Sequence, residues 1–376
     1  MPWMLVMIAV FIGIIGLGCL SAGFLTEGQK LTYIRCGIIV IDILIFAVIF
    51  FSFMMRGRFV SVAEAAVMLI MAQVIGSILV LLAGGIQWLY QMLISAPVDA
   101  GRRSLLKGAA IYPAVAVGVG MYGGLVERTH TVDRRMDVPM PVGSGLDGYR
   151  MAQISDVHLG SYFSVEDFHD LLERVAKGTP DVLCVTGDIF DDEGQNRAAI
   201  EVLGTFTSRF PDGIYYCRGN HEYFRGIEAI SRELQKTDVV ELVNAAVCLK
   251  NGERPLYMVG VDYPMRRNRF EADEAAYTEE AYRGVPEGAI SVLLAHHPDF
   301  IDDGALHGAS LVLSGHTHGC QLGLFGLPLV PVFKYNRGVV DKGATMGYVH
   351  SGNGSWFPYR LGCPPEIAWF TLRERA

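Results

Sequence analysis

Five short groups of acidic, imidazole and amide side chains recur between residues 155 and 319 of this 376-residue chain. Each group directly follows a short apolar run of a length typical of a β-strand. The groups are Ser155-Asp156-Val157-His158, Gly187-Asp188, Gly219-Asn220-His221-Glu222, His296-His297-Pro298-Asp299 and Gly315-His316-Thr317-His318-Gly319. Because the carboxyl ends of strands in an α/β sheet open onto one ligand crevice, we expect these side chains to share one rim.

The residue types at this rim are typical of a site for divalent metal ions. Carboxylate, imidazole and amide oxygen ligands suit Mn, Fe, Zn or Co. A carboxylate can bridge two cations about 3.5–4 Å apart, and such a pair can clamp the attacking and leaving oxygens of a phosphoryl displacement. His316 and His318 would project to opposite faces of an extended segment, so one segment could serve two metals. The five groups together therefore predict a metal centre.

The elements that must position these groups are strands that alternate with helices. Apolar runs at 149–155, 182–186, 214–217, 290–295 and 311–313 are predicted to be the strands that precede the five groups. Ser164, with Asp167 three residues later, predicts a capped helix that ends near Lys177. This alternation predicts a layered α/β domain over 149–376, with sheets covered by helices.

The first third of the chain has a different composition. Residues 1–126 carry 7 Lys and Arg against 4 Asp and Glu, whereas 127–376 carry 24 against 35 and all ten histidines. Four apolar stretches, at 4–25, 36–55, 65–94 and 108–126, are each long enough to cross a hydrocarbon core of about 30 Å. We therefore predict a transmembrane region of about four helices over 1–126, in a multi-pass protein of the cell membrane.

One acid within the apolar region and the segment that follows the region bear on function. Asp42 is the one acid within a predicted span, and it would either pair with a neighbour or take part in ion movement. Residues 127–148 combine mixed charge with Pro139, Pro141 and a Gly-Ser-Gly run, so they are predicted to be a linker into the α/β domain.

The membrane orientation is predicted from one local motif, because the positive charges of the loops are equal on the two sides. The run Gly101-Arg102-Arg103-Ser104-Leu105-Leu106-Lys107 resembles a twin-arginine export signal and favours an extracytoplasmic domain. An ordinary positively charged membrane anchor is the alternative. The net charge of −11 over 127–376 argues against general nucleic-acid affinity, so no nucleic-acid partner is expected.

With their flanking residues, the five groups resemble the calcineurin-like metallophosphoesterase superfamily, and within it the membrane-associated bacterial branch. The resemblance covers roughly residues 149–373. The matching blocks are Gln153-Ile154-Ser155-Asp156-Val157-His158-Leu159-Gly160, Gly187-Asp188-Ile189-Phe190-Asp191, Gly219-Asn220-His221-Glu222-Tyr223, His296-His297-Pro298-Asp299 and Gly315-His316-Thr317-His318-Gly319.

This resemblance implies a four-layer αββα sandwich with a dinuclear site that Asp188 bridges. The implied ligands of one metal are Asp156, His158, Asp188 and His318. The implied further ligands of the second metal are Asn220, His296 and His316. The resemblance also implies that a metal-bound hydroxide attacks the phosphorus, and that His221 lies beside the phosphate and stabilises charge or protonates the leaving oxygen.

Several neighbours receive weaker assignments. Asp191 is predicted to orient Asp188 or the loop backbone, Glu222 to lie behind the ligands, and His297 to be a candidate for substrate contact. Cys320 stands where this branch usually has Gly, and the run 348–352 lacks an Arg that relatives often carry. The aromatic run 356–360 would contact lipid headgroups, form a wall of the pocket or pack as a hairpin.

We therefore predict a membrane-anchored, metal-dependent phosphoesterase that hydrolyses a phosphate ester or pyrophosphate with two divalent metal ions. Because the domain would be tethered close to the bilayer, a lipid-linked substrate is a hypothesis from topology. Two alternatives stay open. One is a nucleotide-sugar pyrophosphatase of the lipid A pathway at the cytoplasmic face, and the other is a non-enzymatic metal-binding sensor or scaffold in the membrane.

Overall fold

The computed structural model describes residues 2–54, 60–94, 111–324, 327–355 and 357–375. The chain divides into two compact units, Met1–Val126 and Glu127–Ala376. The run 101–107 that resembles an export signal lies outside the described residues, as do 108–110 and Trp356.

The first unit is made of apolar helices. Its α-helices are α1 (Pro2–Leu25), α2 (Gly28–Met54), α3 (Val60–Ile94) and α4 (Ile111–Met121). Three segments, Met7–Leu25, Gly28–Ser52 and Val60–Ile86, are long and apolar enough to cross a membrane. A helix satisfies its own backbone hydrogen bonds, so predominantly apolar segments of this length adopt it in a bilayer.

The fourth predicted span, at 108–126, is shorter than expected among the described residues. It consists of α4 and a π-helical segment, Tyr122–Val126. Asp42, the acid within the second span, is buried, and its Oδ2 accepts a 2.8 Å hydrogen bond from Nε2 of Gln73 on α3. Asp42 therefore links two apolar helices, a common role of polar residues in such helices.

The second unit contains fourteen strands among the described residues. They are β1 (Val132–Pro141), β2 (Arg150–Ile154), β3 (Val182–Thr186), β4 (Ile214–Cys217), β5 (Val240–Glu241), β6 (Ala245–Lys250), β7 (Leu256–Gly260), β8 (Ile290–Leu294), β9 (Leu311–Ser314), β10 (Gly323–Leu324), β11 (Leu327–Pro328), β12 (Gly338–Lys342), β13 (Thr345–Val349) and β14 (Glu366–Arg375). One six-stranded sheet has the order β1-β14-β2-β3-β4-β5. The other has the order β12-β13-β9-β8-β7-β6, and β10 pairs with β11 as a separate hairpin.

Helices cover the outer faces of both sheets. They are α5 (Val165–Lys177), α6 (Asn196–Thr205), α7 (Asn220–Phe224), α8 (Ile227–Leu234), α9 (Phe270–Tyr282) and α10 (Phe300–Leu306). The predicted capping box is present at the start of α5, where Ser164 accepts from the backbone of Asp167 and the Asp167 carboxylate accepts from the backbone of Ser164. The cap satisfies two backbone donors that the first turn leaves unpaired.

Three apolar clusters hold the layers together. The central cluster joins the facing sides of the two sheets, with Met151 of β2 and Met258 of β7 both buried. An outer cluster packs α5, α6 and α8 on the first sheet, around Phe168 and Leu203. A third packs α9 and α10 on the second sheet, around Ala281 and Phe300. The predicted four-layer α/β architecture is confirmed.

The segment predicted as a linker differs from expectation. Within 127–148, β1 forms a ten-residue strand that pairs in parallel with β14, from Val132 opposite Glu366 to Pro141 opposite Arg375. Pro139 and Pro141 suggested a linker, but β1 is the edge of its sheet, where prolines are tolerated because one side needs no backbone donor. Val138 and Met140 alternate with exposed neighbours and are buried in the central core.

Candidate metal centre

The predicted ligands lie at the carboxyl ends of strands from both sheets. Asp156 and His158 follow β2, Asp188 follows β3 and Asn220 follows β4 in the first sheet. His296 follows β8, and His316 and His318 follow β9, in the second sheet. Both sheets therefore contribute side chains to one site.

The backbone at these strand ends is unusual. Five predicted ligands have a positive φ between 49° and 72°, namely Asp156, His158, Asp188, His316 and His318. A side chain in this region costs about 1–3 kcal/mol and persists where the surrounding structure enforces it, often at functional sites. The turns redirect each side chain from the strand toward a common centre.

Glycine is needed next to the ligands because the backbones approach closely. A Cβ atom at Gly219 would lie 2.1 Å from Oδ1 of Asp188. A Cβ atom at Gly315 would lie 2.0 Å from Oγ of Ser155 and 2.3 Å from Oδ2 of Asp156. Any other residue at either position would displace a carboxylate of the site.

One half of the site brings together Asp156, His158 and His318. Their ligand atoms all lie within 4.8 Å of one another. Nε2 of His158 is 2.8 Å from Nε2 of His318, and Nε2 of His318 is 3.6 Å from Oδ1 of Asp156. Burial lowers the pKa of His318 well below its usual value, and the neighbouring His158 and Arg360 lower it further. His318 is therefore neutral, the form in which imidazole binds metals.

The other half brings together Asp188, His296 and His316. Nδ1 of His296 donates to the carbonyl oxygen of Thr186 at 2.7 Å, which directs Nε2 toward Oδ2 of Asp188 at 3.1 Å. Such a hydrogen bond from the outer nitrogen is what orients a metal-ligating histidine. Burial lowers the pKa of His296, but the Asp188 carboxylate outweighs it and raises this pKa to about 10.

Asn220 provides a direct test of whether the donor set fits a metal. Its Oδ1 is buried and accepts no hydrogen bond from any residue that the structure describes. A buried carbonyl oxygen without a donor is costly unless another group satisfies it. A cation at this position would satisfy it, so the residues present fit a metal centre.

Asp191 holds two histidines, which differs from the prediction that it orients Asp188 or the loop backbone. Its Oδ2 accepts from Nδ1 of His158 at 3.1 Å and from Nδ1 of His221 at 2.8 Å, while Arg225 donates to Oδ1. Burial raises the pKa of Asp191, but the hydrogen bonds from both histidines outweigh it and lower the pKa well below the usual value. The sequence spacing did not show that one carboxylate serves two imidazoles.

His221 lies at the open side of the centre. Its Nε2 is 4.0 Å from Oδ2 of Asp188, and its side chain is 28% exposed. Burial lowers the pKa of His221, but the charges of Asp188 and Asp191 raise it to about 9. His221 is therefore protonated at neutral pH, as a proton donor must be.

Glu222 lies behind the centre and organises its loops. Oε2 accepts from the backbone N–H groups of Asp188 and Gly219 at 3.0 and 2.9 Å. Oε1 accepts from the backbone N–H groups of Ile189 and Phe190 at 2.7 and 3.2 Å. One fully buried carboxylate thus holds the turns after β3 and β4 in register.

His297 groups with Glu274 and Asp299 instead of with the predicted ligands. Its Nδ1 accepts from the backbone N–H of Asp299 at 3.3 Å and lies 3.7 Å from Oε1 of Glu274. Burial and the neighbouring His296 lower the pKa of His297 to about 3, so its ring is neutral. Contact of His297 with substrate stays a prediction.

Glu274 makes the stability of this unit pH-dependent. Burial and then the charge of Asp299 raise its pKa to about 8 from the ordinary 4.5. The Glu274 carboxyl therefore binds a proton more tightly in the folded protein than in the unfolded chain. Protonation of Glu274 stabilises the fold, and this stabilisation is lost as pH rises from 4.5 through 8. For Glu274→Gln we expect the parent Tm at pH 5 and a Tm roughly 2–8 °C higher at pH 8.5.

Thermal unfolding followed by intrinsic fluorescence at the two pH values measures this effect. Glu279→Gln, at an exposed position of the same helix, is the matched control and should change Tm at neither pH. A Tm difference for Glu274→Gln that is equal at both pH values would contradict the raised pKa.

Three residues near the centre received no individual role in the sequence prediction. Arg360 is fully buried, with Nη2 3.3 Å from Nδ1 of His318 and Nη1 donating to the carbonyl oxygens of Ser351 and Cys363. The rings of Tyr263 and Phe333 lie 5.6 and 5.2 Å from the ring of His316. Tyr263 follows β7 closely, so the strand-end rule could have found it, whereas no local signal marks Arg360 or Phe333.

The backbone at Cys320 explains why glycine was expected at this position. Its φ is +64°, a conformation that glycine adopts without strain. The thiol donates to Oδ1 of Asn336 at 3.4 Å. This hydrogen bond holds the Cys320 side chain against Asn336.

The chain is similar to known metallophosphoesterases. A family model described as calcineurin-like phosphoesterase matches residues 149–320. The chain is 28% identical over 297 residues to the uncharacterized metallophosphoesterase YkuE of Bacillus subtilis, covering 73% of this chain and 98% of that protein. It is 30% identical over 236 residues to an uncharacterized metallophosphoesterase of Aquifex aeolicus, covering 60% and 85%.

A vertebrate relative combines the same kinds of region. A protein of Danio rerio described as a transmembrane protein with metallophosphoesterase domain is 29% identical over 255 residues. The match covers 64% of this chain and 57% of that protein, so the chain spans little more than half of that relative's length.

Proposed function

Because this chain belongs to the calcineurin-like metallophosphoesterase family, we propose that its second unit hydrolyses a phosphate ester or pyrophosphate with two divalent metal ions around Asp188. The observation that carries this proposal is the convergence on Oδ2 of Asp188. That oxygen lies 3.8, 4.0 and 3.1 Å from Nε2 of His158, His221 and His296. A single carboxylate surrounded by imidazoles from both halves of the site is suited to bridge two cations.

The residues that would hold the first metal are Asp156, His158, Asp188 and His318. Those that would hold the second are Asp188, Asn220, His296 and His316. When bound, two such ions would neutralise charge on the phosphate oxygens and make water a better nucleophile at neutral pH. The mixed nitrogen and oxygen donor set suits Mn, Fe, Zn or Co.

The remaining residues position and protonate the substrate. Asp191 holds Nδ1–H of His221, so the Nε2–H of that imidazolium faces the site and can pass its proton to the leaving oxygen. Glu222 keeps the ligand turns rigid and Asp191 holds the rings of His158 and His221, so little reorganisation accompanies the reaction. The rings of Tyr263 and Phe333 lie beside His316 and would limit the access of water from that side.

We expect turnover by the full chain in detergent to depend on metal. Hydrolysis of p-nitrophenyl phosphate and bis(p-nitrophenyl) phosphate would be measured after chelation and after adding back Mn, Zn, Mg or Fe. Chelation should remove turnover and one or more of these ions should restore it, with the ratio of the two substrates giving the preference for monoesters or diesters. Equal turnover before and after complete removal of metal would refute the proposal.

We also propose that the three long apolar helices anchor the enzyme in a membrane and that the catalytic unit is extracytoplasmic. The motif at 101–107 supports this orientation, and the tether supports a lipid-linked substrate. A periplasmic-type reporter fused after Ala376 tests the orientation. An inactive reporter would favour the alternative, a nucleotide-sugar pyrophosphatase at the cytoplasmic face.

A further inference from the structure

The described residues 322–324 and 327–333, here the aliphatic loop, have an unusual composition for the surface of an acidic unit. The sequence from Leu322 to Phe333 contains no charged residue. Five aliphatic side chains within it are 55–71% exposed, namely Leu324, Leu327, Leu329, Val330 and Val332. The unit that carries this loop has 59 charged residues in 250.

Exposure of this kind calls for an explanation. Single exposed apolar residues are normal, and elsewhere in this unit the described ones are separated along the chain, such as Val142, Phe224 and Leu306. Contiguous exposed apolar patches mark surfaces that contact a membrane, a ligand or another protein. Five large aliphatic side chains within nine consecutive positions form such a patch.

The aliphatic loop is fixed to the rim of the metal centre. It begins four residues after His318, and its last residue, Phe333, packs 5.2 Å from the ring of His316 and 5.8 Å from that of His297. Its base is held by backbone hydrogen bonds from Leu329 to Leu322 at 2.9 Å and from Gly323 to Leu361 at 2.6 Å. A surface or molecule that contacts this loop therefore also lies close to His316 and His297.

The surroundings of the chain favour a bilayer as the surface that this loop contacts. The chain carries three helices long enough to cross a membrane, and an apolar helical segment ends at Val126. Five residues separate Val126 from the start of β1 at Val132 in the sequence, and five residues extend at most about 18 Å. The covalent connection thus keeps the catalytic unit close to any bilayer that holds this segment.

Charge also favours hydrocarbon as the occupant. The unit has a net charge of −11, so an anionic membrane would repel it electrostatically. An uncharged aliphatic loop provides attraction that does not depend on lipid charge, because it gains from leaving water. The first charged residue after the loop is Lys334, at the boundary that an inserted loop would place among headgroups.

We propose that the aliphatic loop inserts into the bilayer and holds the metal centre at the level of lipid headgroups. The substrate class that this geometry selects is a phosphate or pyrophosphate on a lipid, a refinement that rests on the proposed phosphoesterase function. The exposed aliphatic side chains of the loop act as a positioning surface and contribute no group to the reaction.

Photocrosslinking in the full chain tests insertion independently of activity. Benzoyl-phenylalanine would be placed at Val330, with the purified protein reconstituted in liposomes of radiolabelled phosphatidylethanolamine and phosphatidylglycerol. Leu44, exposed on α2, is the positive control, and Leu306, exposed on α10, is the negative control. We expect lipid adducts at positions 330 and 44 and none at 306.

Each other outcome of the crosslinking decides against insertion. A crosslinked dimer from position 330 would assign the loop to contact between copies of this chain. Adducts at 44 alone would show that the loop does not reach lipid. Equal adducts at 330 and 306 would show that contact is not specific to the loop.

Activity on two substrates distinguishes the role of the loop from that of the metal centre. For the double variant Leu329→Asp and Val330→Asp we expect kcat/KM toward phosphatidic acid in liposomes to fall about tenfold or more, and that toward p-nitrophenyl phosphate to change less than about twofold. Leu306→Asp should change neither. Equal losses on both substrates would overturn the positioning role, whereas a parent enzyme inactive on both would instead refute the phosphoesterase function.

Discussion

The Asp188→Asn variant is expected to lose metal-dependent turnover by about 10³-fold, the upper part of the range for removing one preorganised electrostatic contact. Oδ2 of Asp188 faces three imidazole nitrogens, and Oδ1 accepts from the backbone N–H of His221 at 2.9 Å. Asparagine retains one carbonyl oxygen for this hydrogen bond but has no second anionic oxygen with which to bridge cations. We therefore expect bound metal to fall from two equivalents toward one or fewer.

Two measurements check this result. Steady-state hydrolysis of p-nitrophenyl phosphate gives kcat, and elemental analysis of the purified chain gives metal per protein. Asp170→Asn, on an exposed helical position, is the matched control and should retain both. Full activity of Asp188→Asn with two metals bound would contradict the bridging role.

The His221→Gln variant is expected to separate proton donation from metal binding. His221 is held by Asp191 and is protonated at neutral pH, but it is absent from both proposed ligand sets. General acid catalysis typically contributes 10²–10⁴-fold, so kcat for phenyl phosphate should fall by about 10² or more. The loss for p-nitrophenyl phosphate should be much smaller, because nitrophenolate leaves without a proton.

The comparison of leaving groups makes this test specific. Metal content should equal that of the parent, and His169→Gln, which changes a half-exposed surface histidine, should alter neither substrate. Equal losses on the two phosphates, or loss of metal, would show that His221 does not act as the proton donor.

The strands and the polar groups that follow them were predictable because their signals are local. Each apolar run is followed within a few residues by its polar group, and the rule that strand ends share one edge needs no knowledge of distant contacts. The Ser164 cap on α5 was predictable for the same reason, since both partners lie within three residues.

The misjudged features depend on distant partners. β1 is a strand because β14 lies beside it, and its paired residues are 234 positions apart. Asp191 reaches two histidines, and Arg360 reaches His318 from 42 positions away. Such roles arise from tertiary packing, which residue spacing within one segment does not encode.

The pairing of β1 with β14 also delays the completion of the first sheet during synthesis. At about 5–20 residues per second, β14 leaves the ribosome roughly 10–50 s after the β1 positions that it will pair with. During that interval the β1 segment has no β14 to pair with and is open to pairing with other nascent chains. Its two prolines and adjacent Arg134 and Arg135 disfavour such pairing. The prolines and charges that led to the prediction of a linker thus disfavour aggregation of the growing chain until β14 has been synthesised.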